Sequence, residues 1–304
     1  MDCEFQTADV FTDRRFGGNP LAVFPDARGL DDAQMQAIAR EFNLSETTFV
    51  FPPGDARHAR RVRIFTPGGE LPFAGHPTVG TAFVLASQGA LPPPVGGKGA
   101  TDIVFEEGVG PVPVRIDWSG GMPQRCTLTA AVPPQRVALG RDPDRATLAR
   151  ILSVAPEDIA GPAEAWSCGV PFLVVPLGSV AALARAQLEL AAWRDVLGET
   201  PGQKVYPVAA DREGGTNAWR VRMFAPSLGV PEDPATGSAA ASFAGWLGER
   251  FRQNDGTARF ALRQGIEMGR PSDLALEIDF AGARIAAVRV GGSAVLVMRG
   301  AISL

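Results

Sequence analysis

Two turns rich in glycine and proline carry polar residues of the kind that bind and activate substrates. The first is Gly75-His76-Pro77, and the second runs from Asp233 to Ser238 as DPATGS. Each precedes an apolar stretch of small residues that is typical of a buried helix. Backbone N–H groups and the helix dipole favour an anion at such a helix start. The turns therefore predict a site for a carboxylate-bearing substrate.

Several residues of these turns have roles consistent with that prediction. Pro77 is typical of a first helical turn, and glycines at 75 and 237 let a ligand approach the backbone closely. Thr236 and Ser238 offer hydroxyl groups beside the second helix start. Ordinary capping explains either turn by itself. The recurrence of both turns in a repeated setting favours a function.

A candidate proton-transferring group lies in the segment NLSETTFVF (43–51). Glu46 stands next to a strand that contains Phe49 and Phe51, and partial desolvation raises the pKa of a carboxyl group toward the working range of a general acid/base. Spacing alone favours an exposed glutamate at the entrance of a strand. His76, one of two histidines in the chain, is likewise explained as a helix-start histidine bonded to the backbone.

The elements that must position these residues recur along the chain. RVRIFTP (61–67) and RVRMFAP (220–226) match at an offset of 159 residues, and each precedes a loop and then a small-residue apolar helix. This repeat predicts an α+β fold of two similar domains, each a curled, barrel-like sheet around a central buried helix. Because ligands commonly bind in clefts between domains, the repeat also predicts an active site in the interdomain cleft.

Other patterns complete the predicted organisation. Helical spacing is present over 30–42, and a longer helical stretch covers 179–197. The Gly/Pro-rich SGGMPQ (119–124) predicts a boundary between domains 1–122 and 123–304. Whether the C-terminal strand returns to the first domain stays open.

Composition excludes several functional classes. The chain of 304 residues has a net charge of −4 and no basic cluster, which argues against nucleic acid or an anionic membrane as partner. No secretory signal or long apolar run is present, so we expect a cytoplasmic protein. With two histidines and three dispersed cysteines, no metal site is expected. No nucleotide or flavin motif is complete, and no cofactor is expected.

Five segments in this order resemble the phenazine-biosynthesis F-type (PhzF-like) isomerase family, which has the diaminopimelate epimerase-like fold. The resemblance covers essentially the whole chain. It is carried by DVFTDRRFGGNPLAVF (9–24), NLSETTFVF (43–51), RIFTPGGELPFAGHPTVGTA (63–82), GVPFLVVPL (169–177) and MFAPSLGVPEDPATGSAAA (223–241).

The resemblance implies cofactor-free proton transfer between carbons of a small carboxylated metabolite. It implies that Glu46 is the acid/base and that His76 and Asp233 are its polar partners. The turns at Gly75, Gly237 and Ser238 would hold the substrate carboxylate, with further substrate contacts from Asn19, Ser45, Pro77 and Thr236. A homodimer is the family expectation.

Two alternatives remain. Related epimerases and racemases use two facing cysteines, but neither turn of this chain contains one, and Cys168 lies in AWSCGVPF, away from both. The second alternative is a non-catalytic or ligand-binding protein that keeps the fold. Loss of the acid/base residue would mark it, and Glu46 is present.

Overall fold

The computed structural model describes residues 2–304, which form seventeen strands and six α-helices. In the first part of the chain these are β1 (Asp2–Val10), β2 (Asn19–Phe24), α1 (Asp32–Phe42), β3 (Glu46–Phe51), β4 (Arg60–Phe65), β5 (Glu70–Leu71), α2 (Gly75–Ser87), β6 (Gly99–Glu107), β7 (Gly110–Ser119) and β8 (Met122–Thr129). The remainder comprises β9 (Gln135–Val137), α3 (Arg145–Leu152), β10 (Glu164–Ser167), β11 (Pro171–Pro176), α4 (Val180–Arg185), α5 (Leu190–Leu197), β12 (Val205–Ala210), β13 (Ala218–Val221), α6 (Gly237–Arg250), β14 (Gly256–Gln264), β15 (Ser272–Ala281), β16 (Arg284–Gly292) and β17 (Ala294–Ser303).

The chain divides into two compact units, 2–131 with 290–304 and 132–289. The C-terminal strand does return to the first unit, where β17 pairs antiparallel with β1 from Ala294 opposite Val10 to Ser303 opposite Asp2. The segment SGGMPQ is not a boundary. Gly120 and Gly121 both have positive φ angles and form the tight turn between β7 and β8, so the chain stays in the first unit until residue 131.

The two units repeat one order of strand pairing. In the first unit, the ladders β1–β2, β2–β3, β3–β4, β4–β6 and β6–β7 are antiparallel, parallel, antiparallel, parallel and antiparallel. In the second unit, β10–β11, β11–β12, β12–β13, β13–β14 and β14–β15 follow the same sequence. The predicted duplicated α+β fold is confirmed by this common pattern.

The repeated RVR(I/M)F segments occupy equivalent strands and keep the same side-chain contact. Arg63 lies over the Phe65 ring at 5.2 Å, and Arg222 lies over the Phe224 ring at 4.9 Å. The second strand is shorter because Pro207 lies opposite Arg222 and has no N–H to donate. The register nevertheless continues, because Val205 and Phe224 exchange both backbone hydrogen bonds.

Each unit has one central buried helix, as the sequence predicts. Every residue of α2 from Gly75 to Ala86 is buried, and α6 is buried along most of its length. Small residues are needed for this packing: a Cβ at Gly80 would lie 2.6 Å from the side chains of Leu21 and Val10, and one at Gly245 would lie 2.1 Å from the Trp166 ring. The tight packing holds each helix start in a fixed position relative to its own sheet.

The predicted helical stretch 179–197 is interrupted. Helix α4 ends at Arg185, and α5 begins at Leu190. The intervening backbone instead bonds to the end of α3, since the N–H groups of Gln187 and Glu189 donate to the carbonyls of Leu152 and Ile151. The Glu189 carboxylate then caps α5. These partners are distant in sequence, so helical spacing could not reveal the break.

Candidate active site

The first unit brings Glu46 and His76 together. Glu46 begins β3, and His76 is the second residue of α2. The Glu46 Oε2 atom lies 3.4 Å from His76 Nε2, with the two side chains 16% and 4% exposed. On the other side of the ring, Asn19 Nδ2 lies 3.2 Å from His76 Nδ1. Three residues predicted from separate motifs thus form one contact chain.

His76 is a neutral imidazole at pH 7. Burial lowers the pKa of His76 to about 3, although the carbonyl of Pro20 acts in the opposite direction. If the ring proton is on Nε2, Asn19 donates its amide N–H to Nδ1 and the ring directs its own N–H toward Glu46. Because the ring is neutral, the Glu46–His76 contact is not an ion pair.

The start of α2 has no side-chain cap. Its N-cap residue is Ala74, whose methyl group cannot accept a hydrogen bond from the first turn. The backbone of Gly75 and His76 is buried there, and Pro77 supplies no N–H. Ser45, half-buried, directly precedes Glu46 in the chain. The arrangement leaves the positive end of the helix dipole beside the Glu46–His76 pair, where an anionic group is stabilised.

The second unit holds the turn from Asp233 to Gly237 in a buried network. The Thr236 hydroxyl donates to Asp233 Oδ2 at 2.5 Å, so Thr236 does not cap α6 with its side chain. Gly237 begins the helix, and Ser238 follows it half-buried. Like α2, α6 starts with glycine and lacks a side-chain cap, and a helix start of this kind favours an anion.

Gln264 is a residue of this network that sequence reasoning missed. Its amide donates to the Asp233 carbonyl at 2.7 Å and to Thr236 Oγ1 at 3.0 Å, and its Oε1 accepts from the Thr236 N–H at 3.2 Å. The side chain is completely buried. No motif marks Gln264, since it lies at the end of β14. Only the fold brings it to the turn.

Glu107 is the second missed residue, and it contacts the first turn of α2. Thr78 Oγ1 lies 2.6 Å from Glu107 Oε1 and 2.8 Å from the carbonyl of Ala74. One hydroxyl hydrogen cannot serve both acceptors, so a protonated Glu107 completes the set by donating to Thr78. Burial raises the pKa of Glu107 to about 8, and its Oε2 is buried without a partner among the described residues. Glu107 therefore supports the helix start as a neutral acid.

We expect Glu107→Gln to change how stability depends on pH. In the wild type the folded-state pKa of about 8 lies above the ordinary value of 4.5, so the folded state holds an extra proton between these limits. That stabilisation is complete below pH 4.5 and is lost as the pH rises through 8, with a slope of up to about 1.4 kcal/mol per pH unit. The glutamine variant lacks this slope in urea unfolding.

Glu106→Gln is the control, because backbone N–H groups of Gly54 and Asp55 lower the pKa of Glu106. An unchanged slope in Glu107→Gln would contradict the neutral form.

The cysteines are poorly placed for acid/base work. Cys168 donates its thiol to the Ala241 carbonyl in the interior of α6, and burial raises its pKa to about 12. Burial also raises the pKa of Cys126 above its ordinary value. Neither thiol lies in the turn that begins α2 or in the turn that begins α6. The absence of thiols from both helix starts argues against a two-cysteine mechanism.

Residues 2–304 contain neither a helix that could span a membrane nor a cluster of metal ligands. No helix in that range is long and apolar enough to cross a membrane. No group of three or more His, Cys, Asp or Glu side chains within the same residues could hold a metal ion.

Comparison with known proteins identifies the family. Residues 8–300 match the model of the phenazine biosynthesis-like protein family, PhzC-PhzF. The chain is 41% identical over 298 residues to an uncharacterized isomerase of Mesorhizobium japonicum, with 96% of each chain covered. It is 37% identical over 291 residues to trans-2,3-dihydro-3-hydroxyanthranilate isomerase of Pseudomonas aeruginosa, with 94% of each covered.

A solved structure gives the same fold. The PhzF-family phenazine biosynthesis protein of Bacillus anthracis matches with a TM-score of 0.85 over 100% of both chains, at 23% identity. The resemblance read from the five sequence segments and the predicted fold class are thereby confirmed. The chain belongs to the phenazine biosynthesis-like (PhzF) family of isomerases.

Proposed function

We propose that this protein is a cofactor-independent isomerase that moves a proton between carbons of a small carboxylated metabolite, with Glu46 as acid/base. The observation that carries the proposal is the Glu46–His76 contact of 3.4 Å beside the uncapped start of α2. A carboxylate, a neutral N–H donor and an anion-binding helix start are the groups that such a reaction needs.

The proposed step balances without a cofactor. The Glu46 carboxylate takes a proton from an allylic carbon, so a C–H bond breaks and an O–H bond forms. The electron pair moves into the conjugated system of the substrate. Glu46 then returns this proton, or one exchanged with water, to another carbon and regains its charge. The neutral His76 N–H orients the carboxylate, and Asn19 fixes the imidazole ring.

Binding of the substrate carboxylate is assigned to the helix starts. In the first unit we assign it to the backbone at Gly75 and His76, with Ser45 and Pro77 as neighbouring contacts. In the second unit Gly237, Ser238 and the turn fixed by Asp233 and Thr236 form the other anion-binding element. Asp233 is proposed as a polar partner in the reaction. A homodimer stays a prediction from the resemblance, and a cytoplasmic location stays a prediction from the sequence.

The substrate class follows from the chemistry of a named relative. The relative of Pseudomonas aeruginosa is named for trans-2,3-dihydro-3-hydroxyanthranilate, a ring that carries a carboxylate, C–H bonds at saturated carbons and conjugated double bonds. We propose that this chain acts on a cyclic, unsaturated carboxylic acid of that kind.

Deuterium exchange tests the proposal. We expect the wild type, incubated in D₂O with trans-2,3-dihydro-3-hydroxyanthranilate and a panel of cyclic unsaturated carboxylic acids, to incorporate deuterium at carbon, as followed by proton NMR. Thiol alkylation should leave the exchange intact, whereas a cysteine-type epimerase would lose it. Binding of panel compounds without any exchange would contradict an isomerase and favour the ligand-binding alternative.

A further inference from the structure

The duplicated register gives Glu46 a counterpart in the second unit. Phe65 and Phe224 are equivalent residues of the repeated strands, and they lie opposite Thr47 and Val205, respectively. The residue before Thr47 is Glu46, and the residue before Val205 is Lys204. The two units thus place side chains of opposite charge at the same position of the fold.

Lys204 belongs to the face of the sheet that carries α6. Side chains alternate along a strand, and Lys204 shares its face with Tyr206, two residues on. The Tyr206 ring packs against Phe243 of α6, whereas Val205 contributes to the apolar cluster on the opposite face. The ladder continues to Lys204, whose carbonyl accepts from the Leu173 N–H at 2.8 Å.

The start of β12 also lies next to the turn that begins α6. The Asp233 N–H donates to the carbonyl of Met223, which lies opposite Tyr206 in the register of the ladder. Burial, and then the charge of Asp233, raise the pKa of the Tyr206 hydroxyl. Tyr206 and Asp233 are thus titratable groups at the end of the strand where the uncapped helix begins, but the lowered pKa of Lys204 is caused by burial and not by a charge on either of them.

Lys204 is an unusual residue in this chain. Of the 29 basic residues, only Lys98 and Lys204 are lysines. Lys204 is half-buried, and no ion pair or hydrogen bond of its ammonium group is found with any residue in 2–304. Burial lowers its pKa. Among residues 2–304 Arg222 is the one arginine in the buried class, and it has Glu232 as its carboxylate partner. A desolvated ammonium without an acid is stabilised by an external anion.

We propose that Lys204 binds the substrate carboxylate in the second unit, as the cationic counterpart of Glu46 and together with the start of α6. The inference rests on the proposed function only in requiring a carboxylated substrate. It adds a charged side chain to the helix start of the second unit, which otherwise offers only backbone N–H groups and hydroxyl groups.

Lysine NMR tests the proposal without any activity assay. Protein labelled with ¹³C at lysine Cε should give two lysine signals, which Lys204→Arg assigns, and the exposed Lys98 is the internal control. We expect the pKa of Lys204 to lie below the ordinary value for lysine and to rise when anthranilate is added, because a bound anion favours the ammonium form. Aniline, which lacks the carboxylate, should leave it unchanged. No response of Lys204 to anthranilate or to any carboxylate of the exchange panel overturns the proposal.

Kinetics separate this inference from the proposed function. We expect Lys204→Met to raise KM about 10- to 100-fold with little change in kcat, as for the loss of one charged hydrogen bond, and Lys204→Arg to keep most of the affinity. Thermal unfolding checks that both variants fold. If the wild type shows no exchange, the proposed function fails while the NMR result still decides the role of Lys204. If exchange occurs and Lys204→Met keeps its KM, this inference alone is wrong.

Discussion

Replacing Glu46 with glutamine is expected to reduce carbon–deuterium exchange at least a hundredfold, or about 3 kcal/mol of transition-state stabilisation. Glutamine keeps the size and the carbonyl oxygen that faces His76, but its amide cannot accept a proton. The measured quantity is the rate of deuterium incorporation at carbon under saturating substrate, so that the change appears in kcat. Substrate affinity should change little, because the carboxylate of the substrate is assigned to the helix starts.

Glu106→Gln is a matched control within the same unit. Glu106 also pairs with a histidine, since its Oε1 lies 2.9 Å from His58 Nδ1, and it accepts from the N–H groups of Gly54 and Asp55. Glu106 precedes Glu107 in β6, but side chains alternate along a strand and Glu106 points away from the helix start, so loss of this second pair should leave exchange unchanged. Equal exchange by wild type and Glu46→Gln would remove Glu46 as the base.

The two histidine–glutamate pairs differ in a way that explains the expected contrast. His58 and Glu106 are both partly exposed. His58 lies in a loop, and Glu106 lies in a strand and accepts a hydrogen bond from the backbone of the turn at Asp55. His76 is buried at the first turn of α2, where desolvation keeps the ring neutral. A neutral donor orients the Glu46 carboxylate without neutralising its charge, and thus without removing its capacity to take a proton. The helix start next to it supplies the positive potential that an anionic substrate needs.

Much of the site could be predicted because its signals are local. Helix starts, glycine turns and the segment NLSETTFVF (43–51) are each encoded by a few consecutive residues. Glu46, His76 and the Asp233 turn could therefore be named from the sequence before any contact was known. The repeat at an offset of 159 residues likewise predicted two equivalent units. The structure adds the contact chain Asn19–His76–Glu46, which joins three segments that are distant in sequence.

The remaining features depend on contacts that no local pattern encodes. Gln264 and Glu107 stabilise the two helix starts from the ends of strands, and neither lies in a motif. The segment SGGMPQ was predicted to be a domain boundary but forms a hairpin, because a glycine-rich hairpin and a linker have the same composition. The equivalence of Lys204 and Glu46 is visible only in the register of the strand ladders.

A large effect on stability is expected at Arg222, where the repeat has been modified to hold a helix end. Its guanidinium binds both oxygens of Glu232 at 2.7 and 2.8 Å and donates to the carbonyls of Leu183 and Ala186. The side chain is 7% exposed. Arg222→Leu leaves a largely buried carboxylate and two carbonyls without their donor, so we expect a loss of about 3–5 kcal/mol in the free energy of unfolding. Urea unfolding measures this loss.

Arg63 provides the matched control, because it occupies the equivalent position of the first repeat. It binds Glu70 and Asp32 and lies over Phe65 as Arg222 lies over Phe224, but its side chain is 24% exposed. Water can replace the lost donors there, so Arg63→Leu should cost only about 1 kcal/mol. The double variant Arg222→Leu/Glu232→Leu should recover part of the loss, since no buried charge is then left without its partner. Equal costs at Arg63 and Arg222 would mean that the shared contact with phenylalanine, and not the burial of the ion pair, determines the stability of these strands.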